Sequence, residues 1–208
     1  MVIIIGLIGQ KRVGKDTVAN IIKSIHDGFK IFALADPIKD IARIMFNFTE
    51  NQLYSDEKDI IDEKWNIKPR EFFEQFGTEI MQYDIYKYLP NLKTHIPERK
   101  FWVISLLNKI KHLDSNLESN NISRGIIITD IRGLHELEEI RKFNPNSVFI
   151  KITRPGISKI NVNDHITQIE SFQIPDDQIN YHINNSGTLE NLEKQTKEIL
   201  QNIYDKLQ

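Results

Sequence analysis

With 208 residues and a net charge of −2, the chain can bury one sizeable core and has no bulk electrostatic pull toward DNA, RNA or anionic lipid. It has no cysteine, which excludes disulfides and thiolate zinc sites and is compatible with a reducing cytosol. The N-terminal apolar run is far too short to span a bilayer and carries no basic n-region or cleavage site, so the expected setting is the cytoplasm, away from membrane.

Val2 to Leu7 is short, β-branched and closed by glycine, the pattern of a fully buried strand. Val18, Ile21, Ile22 and Ile25 then recur at helical spacing, so a helix begins near Asp16 or Thr17. Lys30 to Ala35 reads as a second strand. Asp36 follows as N-cap and Pro37 as first helical residue, with Ile38, Ile41 and Met45 on one face. From Phe46 to Asn120 no convincing strand occurs; the stretch holds the acidic segment SDEKDIIDEKW, helical patterns around Phe72 and Phe101, and the polar loop DSNLESNN. GIIITD is then a buried strand, Leu134 to Arg141 a helix, SVFIKITR a strand, INYHIN a fifth, and Leu189 to Leu207 a closing amphipathic helix with Leu192, Ile199 and Ile203 inward. Strands separated by helices predict a parallel sheet with crossover connections. The expected architecture is a single three-layer α/β/α domain, its core at about 1–45 and 121–208 and a helical insertion at about 46–120 between the second and third strands.

GQKRVGKDT, residues 9 to 17, sits directly behind the first strand and nearly spells a phosphate-binding loop: Gly9, four residues, Gly14, Lys15. The two glycines permit backbone geometry that a side chain would block, the helix start offers N–H groups to phosphate, and Lys15 adds a positive charge. The position after the lysine is usually Ser or Thr; here it is Asp16, with Thr17 one residue late. A carboxylate beside a polyphosphate is repelled unless a cation lies between them, and it is a good hard ligand for magnesium. Asp16 is therefore either a magnesium ligand or a helix cap, and the sequence leaves both open.

Asp130 stands at the carboxyl end of a buried strand, where ligands of open α/β sheets collect. Such an acid suits a magnesium shell or orientation of an acceptor. Arg132, two residues on, has the planar fork that clamps anions, and Arg154 repeats the design at the end of the next strand. In KPREFFEQFGTEIM, a helix opened by Pro69, helical spacing puts Phe72, Phe73, Phe76 and Ile80 on one arc and Arg70, Glu74, Gly77 and Thr78 on the other. Gly77 costs a helix about 1 kcal/mol relative to alanine, which suggests close approach by another group, such as a substrate. Trp102 is either a core aromatic or a platform on which a base stacks.

Taken in order, GQKRVGKDT, ALADPIKD, PREFFEQFGTE, KFWV, TDIRGLHE and RPG…NDHIT resemble the phage- and virus-type deoxynucleoside monophosphate kinases over essentially the whole chain. The resemblance implies a P-loop kinase fold with a five-stranded parallel sheet, a helical insertion that binds the nucleoside monophosphate, and a short lid at about 154–178. It implies ATP and Mg²⁺ held by Lys11, Arg12, Gly14, Lys15, Asp16 and Thr17, with Asp16 a normal member of the family's loop. It implies substrate contacts from Ile38, Lys39, Arg70, Gly77, Thr78, Trp102, Asp130, Arg132, Glu136 and His165, with Lys15, Asp130, Arg132 and Arg154 as the catalytic set. NNSGTLENL, from Asn184, resembles the segment that borders adenine in such folds.

The activity so implied is ATP-dependent phosphorylation of deoxynucleoside monophosphates to diphosphates, supplying DNA precursors. The setting would be the host cytoplasm for a virus-encoded enzyme, and a homodimer would suit the family. Gln168 and Glu74 depart from the residues usual at those positions and bear on substrate preference. The competing expectations are a phosphomevalonate-kinase-like enzyme, for which a base-stacking Trp102 would have no use, a non-catalytic ATP-gated binding module, and a nucleic-acid-end kinase, which the lack of a basic groove disfavours.

Overall fold

Apolar runs rich in isoleucine become the inner strands of one parallel sheet, and the shorter edge strands mix apolar with polar residues. In the computed structural model, which describes residues 3–115, 125–157 and 166–206, β1 (Ile3–Ile8) leads into α1 (Lys15–Ile25), and β2 (Phe29–Phe32) into α2 (Asp36–Phe46). The helical stretch that follows contains α3 (Glu50–Tyr54), α4 (Pro69–Glu74), a π-helix (Gln75–Asp84), α5 (Ile85–Tyr88) and α6 (Phe101–Ser115). Then come β3 (Gly125–Ile131), α7 (Leu134–Phe143), β4 (Val148–Thr153), α8 (Ile166–Gln173), β5 (Tyr181–Asn184) and α9 (Leu189–Asp205). No helix among the described residues is long and apolar enough to cross a membrane.

The chain divides into two compact units, Met1–Ala33 with Ile110–Gln208, and Leu34–Lys109. In the first, the strand order is β2-β3-β1-β4-β5 and every pairing is parallel. This is the five-stranded α/β sheet the alternation of strands and helices predicts. β1 lies in the centre, between β3 and β4, so the loop behind it opens at the point where the chain's crossovers change side. Ile5, Leu7, Ile127, Ile150 and Ile183 from four strands pack against Val18 and Ile22 of α1 and Leu192, Ile199 and Ile203 of α9. Burying each such side chain contributes roughly 1.5–3 kcal/mol.

β2 ends at Phe32, earlier than Ala35, because Ala35 already has helical dihedrals and serves as the N-cap of α2. Asp36 and Pro37 are thus the first two helical residues, positions where the missing proline N–H removes no helical bond. α2 belongs with the second unit, whose boundary falls at Leu34 and not near Phe46. The reason is packing: Ala42 of α2 joins Phe48 and Leu53 in one buried cluster, covered by Phe46, Ile67, Phe72 and Phe73.

The helix around Phe72 departs most from its expected form. After Glu74 it continues as a π-helix over ten residues, with i→i+5 closure that turns less per residue than an α-helix. The two arcs counted at α-helical spacing therefore slip: Ile80 is exposed, while Gly77 and Thr78 are buried. Trp102 of α6 anchors this segment, its Nε1–H donating to the Gly77 carbonyl at 2.6 Å. A Cβ on Gly77 would stand 2.6 Å from Ile38 Cδ1, so the close approach that glycine permits is made by a side chain of the same unit. Gly77→Ala is expected to destabilise the protein by about 1–3 kcal/mol through this overlap. The measurement is the midpoint of thermal unfolding; an unchanged midpoint would mean that Ile38 moves aside at no cost.

Candidate active site

β1 delivers the glycine-rich segment to the carboxyl edge of the sheet, and three residues there have positive φ: Gly9 (152°), Arg12 (66°) and Gly14 (105°). Gly14 occupies the N-cap of α1 in the left-handed conformation, where glycine carries no Cβ penalty, and no side chain caps the helix. The helix starts at Lys15, so Asp16 and Thr17 are its second and third residues, both exposed. Of the two roles open for Asp16, capping is not the one adopted. Its carboxylate instead lies in the first turn, where the helix's positive end favours it.

Lys15 folds back over the loop. Its Nζ donates to the Gly9 carbonyl at 2.9 Å and to the Gln10 carbonyl at 2.6 Å. Burial lowers its pKa from 10.5 to about 8, the Arg132 guanidinium pushes it the same way, and Asp16 and Asp130 partly offset both. The structure thereby brings Lys15, Asp16, Asp130 and Arg132 within electrostatic reach of one another. An amine this close to losing its proton at physiological pH gains charge when an anion binds beside it.

Asp130 owes its placement to an irregularity of the sheet. Between the pairs Gly6–Ile128 and Ile8–Ile131, β3 carries one residue more than β1, a bulge that falls at Thr129 and Asp130. Bulges re-aim side chains at strand ends. Arg132 is the first residue after β3, and its backbone N–H donates at 2.7 Å to Glu136 Oε2, which also accepts from Gly133 N–H at 3.0 Å. Glu136, expected as a substrate contact, is thus engaged in fixing the turn between β3 and α7. It is buried, and burial raises its pKa to about 7 against the pull of those two hydrogen bonds. Arg154 stands exposed just beyond β4, on the strand next to β1.

Of the other expected contacts, Ile38, Lys39, Arg70, Gly77, Thr78 and Trp102 lie in the second unit. Arg70 pairs with Asp59 in a two-point ion pair: its Nε–H donates to one carboxylate oxygen and its Nη2 to the other at 3.1 Å. Lys39 of α2 faces Asp36 at 4.0 Å and lies 4.0 Å from the centre of the Tyr54 ring. Ile38 is buried against Gly77, and Thr78 is 4 % exposed. Trp102 is 6 % exposed, edge-on to Phe101 at 5.0 Å. With its N–H spent on Gly77, it is the core aromatic of the two alternatives and no open stacking platform, so it does not by itself discriminate against an acceptor without a ring. His165 lies outside the described residues.

Two residues have partners that the sequence does not announce, and Asn185 stands out there only as part of the NNSGTLENL segment. Asp59 was submerged in an acidic run with no periodicity to single it out. Asn185, in NNSG, donates from Nδ2 to the Val13 carbonyl at 2.9 Å across 172 positions of sequence. Among the described residues no group of three or more His, Cys, Asp or Glu could hold a metal ion by itself. The oxygen donors present, Asp16, Thr17 and Asp130, suit a magnesium ion that takes its remaining ligands from phosphate and water.

Residues 3–67 and 45–196 match the family model described as deoxynucleotide monophosphate kinase. No curated protein sequence matches the chain. Solved structures with a similar arrangement include a dephospho-CoA kinase from Campylobacter jejuni, at 16 % identity over 99 % of this chain and 98 % of that one with a TM-score of 0.49. Another is a sugar kinase from a Janibacter species, at 13 % identity over 97 % and 95 % with a TM-score of 0.49. A family model covering residues of both units agrees with a glycine-rich loop whose lysine is folded over it: the chain belongs to the deoxynucleotide monophosphate kinase family and is a phosphotransferase acting as a nucleotide kinase.

Proposed function

We propose that this kinase transfers the terminal phosphoryl group of ATP to deoxynucleoside monophosphates, in the supply of DNA precursors. The observation that carries the reading is the loop of residues 9 to 17, with three positive-φ residues and a lysine of depressed pKa laid across its carbonyls. Phosphoryl transfer asks little covalent chemistry of a protein, and positioning and charge stabilisation dominate. Lys15, with the N–H groups at the start of α1, would hold the donor phosphates, and Lys11 and Arg12 would add charge beside them. Asp16, Thr17 and Asp130 would hold Mg²⁺, which when bound supplies charge neutralisation of the phosphates. Arg132 and Arg154 would stabilise charge that develops during transfer.

On the acceptor side, Arg70 would grip the monophosphate, with Lys39 as a second cation. The segment 154–178 would serve as the lid, His165 included. Glu136 and Trp102 enter this scheme as supports, of Arg132 and of the Gly77 segment respectively. Homodimerisation, a viral origin and residence in a host cytoplasm belong to the same proposal and rest on the family likeness alone.

The direct test is ADP formation, followed by a coupled assay, across all deoxy- and ribonucleoside monophosphates and phosphomevalonate. The expected outcome is ADP release that requires a deoxynucleoside monophosphate. Release that occurs only with phosphomevalonate, or ATP binding with no acceptor-dependent turnover, would reject the proposal.

A further inference from the structure

The turn after β5 reaches the phosphate loop at one peptide bond. Asn185 donates its backbone N–H to the Thr153 carbonyl at the end of β4, at 2.8 Å, and its side-chain Nδ2 to the Val13 carbonyl at 2.9 Å. The amide orientation is dictated by the partner, since a carbonyl oxygen only accepts. The contact is close: a Cβ on Gly14 would lie 2.6 Å from that same Nδ2 and 3.9 Å from Leu192 Cδ2 of α9. Asn184, one residue earlier, is itself gripped by Gln195 of α9, which accepts from its N–H at 3.3 Å and donates to its carbonyl at 3.2 Å. Three elements of the first unit, β4, β5 and α9, thus hold one side chain against the loop.

The consequence follows from peptide geometry. The peptide between Val13 and Gly14 is planar and trans, so its carbonyl and its N–H point in opposite directions. Fixing the Val13 carbonyl on Asn185 fixes the Gly14 N–H on the other side, away from Asn185. We propose that Asn185 is a positioning residue that sets this peptide for anion binding, so that Gly14 offers its N–H to the donor phosphates and the Val13 carbonyl is kept from them. Released from Asn185, the peptide can rotate and present a carbonyl oxygen to phosphate, and glycine at 14 makes that rotation easy because its φ of 105° is not enforced by a Cβ. The inference rests on the reading that the loop binds ATP.

Binding of ATP and of inorganic pyrophosphate to wild type, Asn185→Ala and Asn185→Asp by calorimetry provides the test, together with KM for both substrates. In the alanine variant, Kd for both ligands is expected to rise about tenfold, the scale of one lost hydrogen bond, with KM for the monophosphate little changed. Asn185→Asp, which turns a donor into an anionic acceptor facing the Val13 carbonyl, is expected to weaken binding further. A purely structural asparagine would lower the melting temperature and raise both KM values alike, and that result overturns the proposal. Should the variants fail to fold, the wild-type protein decides: the amide proton of Gly14 is expected to shift on addition of pyrophosphate, and a bound state with no shift at Gly14 overturns it. Wild type that binds neither ligand rejects the nucleotide reading itself, a distinct outcome that removes the inference with it.

Discussion

Lys15→Ala is expected to lower kcat by roughly 10²–10³-fold, the scale seen when one preorganised charge or donor is removed from a transition state. The fold should survive, because among the described residues the side chain bonds to the carbonyls of Gly9 and Gln10 in its own loop. Far-UV circular dichroism and the melting temperature check that half; turnover near the wild-type rate would reject Lys15 as the phosphate lysine. The same side chain predicts a pH profile. Its pKa of about 8 belongs to the free enzyme, so kcat/KM for ATP should fall as pH rises through about 8 and the charge is lost.

At saturating ATP the bound phosphates favour the ammonium, so kcat should hold to higher pH. A flat kcat/KM between pH 7 and 9.5 would sink the assignment. The linkage runs in a defined direction. Folding depresses this pKa below 10.5, so between about pH 8 and 10.5 the unfolded chain binds more protons than the folded one, and stability from this group rises with pH. The alanine variant should lack that rise.

The second large effect concerns the acceptor. Arg70→Ala is expected to raise KM for the monophosphate by roughly 10–100-fold, since charge-assisted hydrogen bonds to phosphate are among the stronger polar contacts, while KM for ATP stays near its wild-type value. Steady-state kinetics with each substrate varied in turn reads this out, and equal rises in both constants would remove Arg70 from the acceptor site. Asp59 gives the prediction a second arm. It engages the Nε and Nη2 edge of the guanidinium, and among the described residues Nη1 makes no hydrogen bond. Asp59 therefore aims the remaining edge, and Asp59→Asn should raise the same KM by a smaller factor. A fall in KM would instead identify Asp59 as a competitor for Arg70.

Local signals were strong where a residue's role depends on its neighbours in sequence. The strand, Gly9, Gly14 and Lys15 are adjacent, and their spacing alone requires a sharp turn into a helix that exposes N–H groups. The three inner strands, β3, β1 and β4, are legible because parallel strands buried on both faces read as continuous apolar runs. Asp16 shows the limit of such reading. Whether it caps α1 depends on the dihedrals of Gly14, which takes the cap position itself.

Elsewhere the packing departs from a regular helical period. The π-helix over Gln75–Asp84 cannot be counted at 3.6 residues per turn, and it is held in place by Trp102, 25 positions after Gly77. Trp102 and Glu136 stand out in the sequence, but their partners, the Gly77 carbonyl and the N–H groups of Arg132 and Gly133, are set by the fold.

The sequence by itself determined the class of fold, the place of the glycine-rich loop and the kind of chemistry, because apolar periodicity and glycine-lysine spacing act over a few residues. Only the tertiary structure decided which charges share a field with Lys15, which edge of Arg70 Asp59 engages, and that Asn185 reaches Val13. The last two depend on groups brought together across 11 and 172 positions, and no local pattern encodes a hydrogen bond made at such separations.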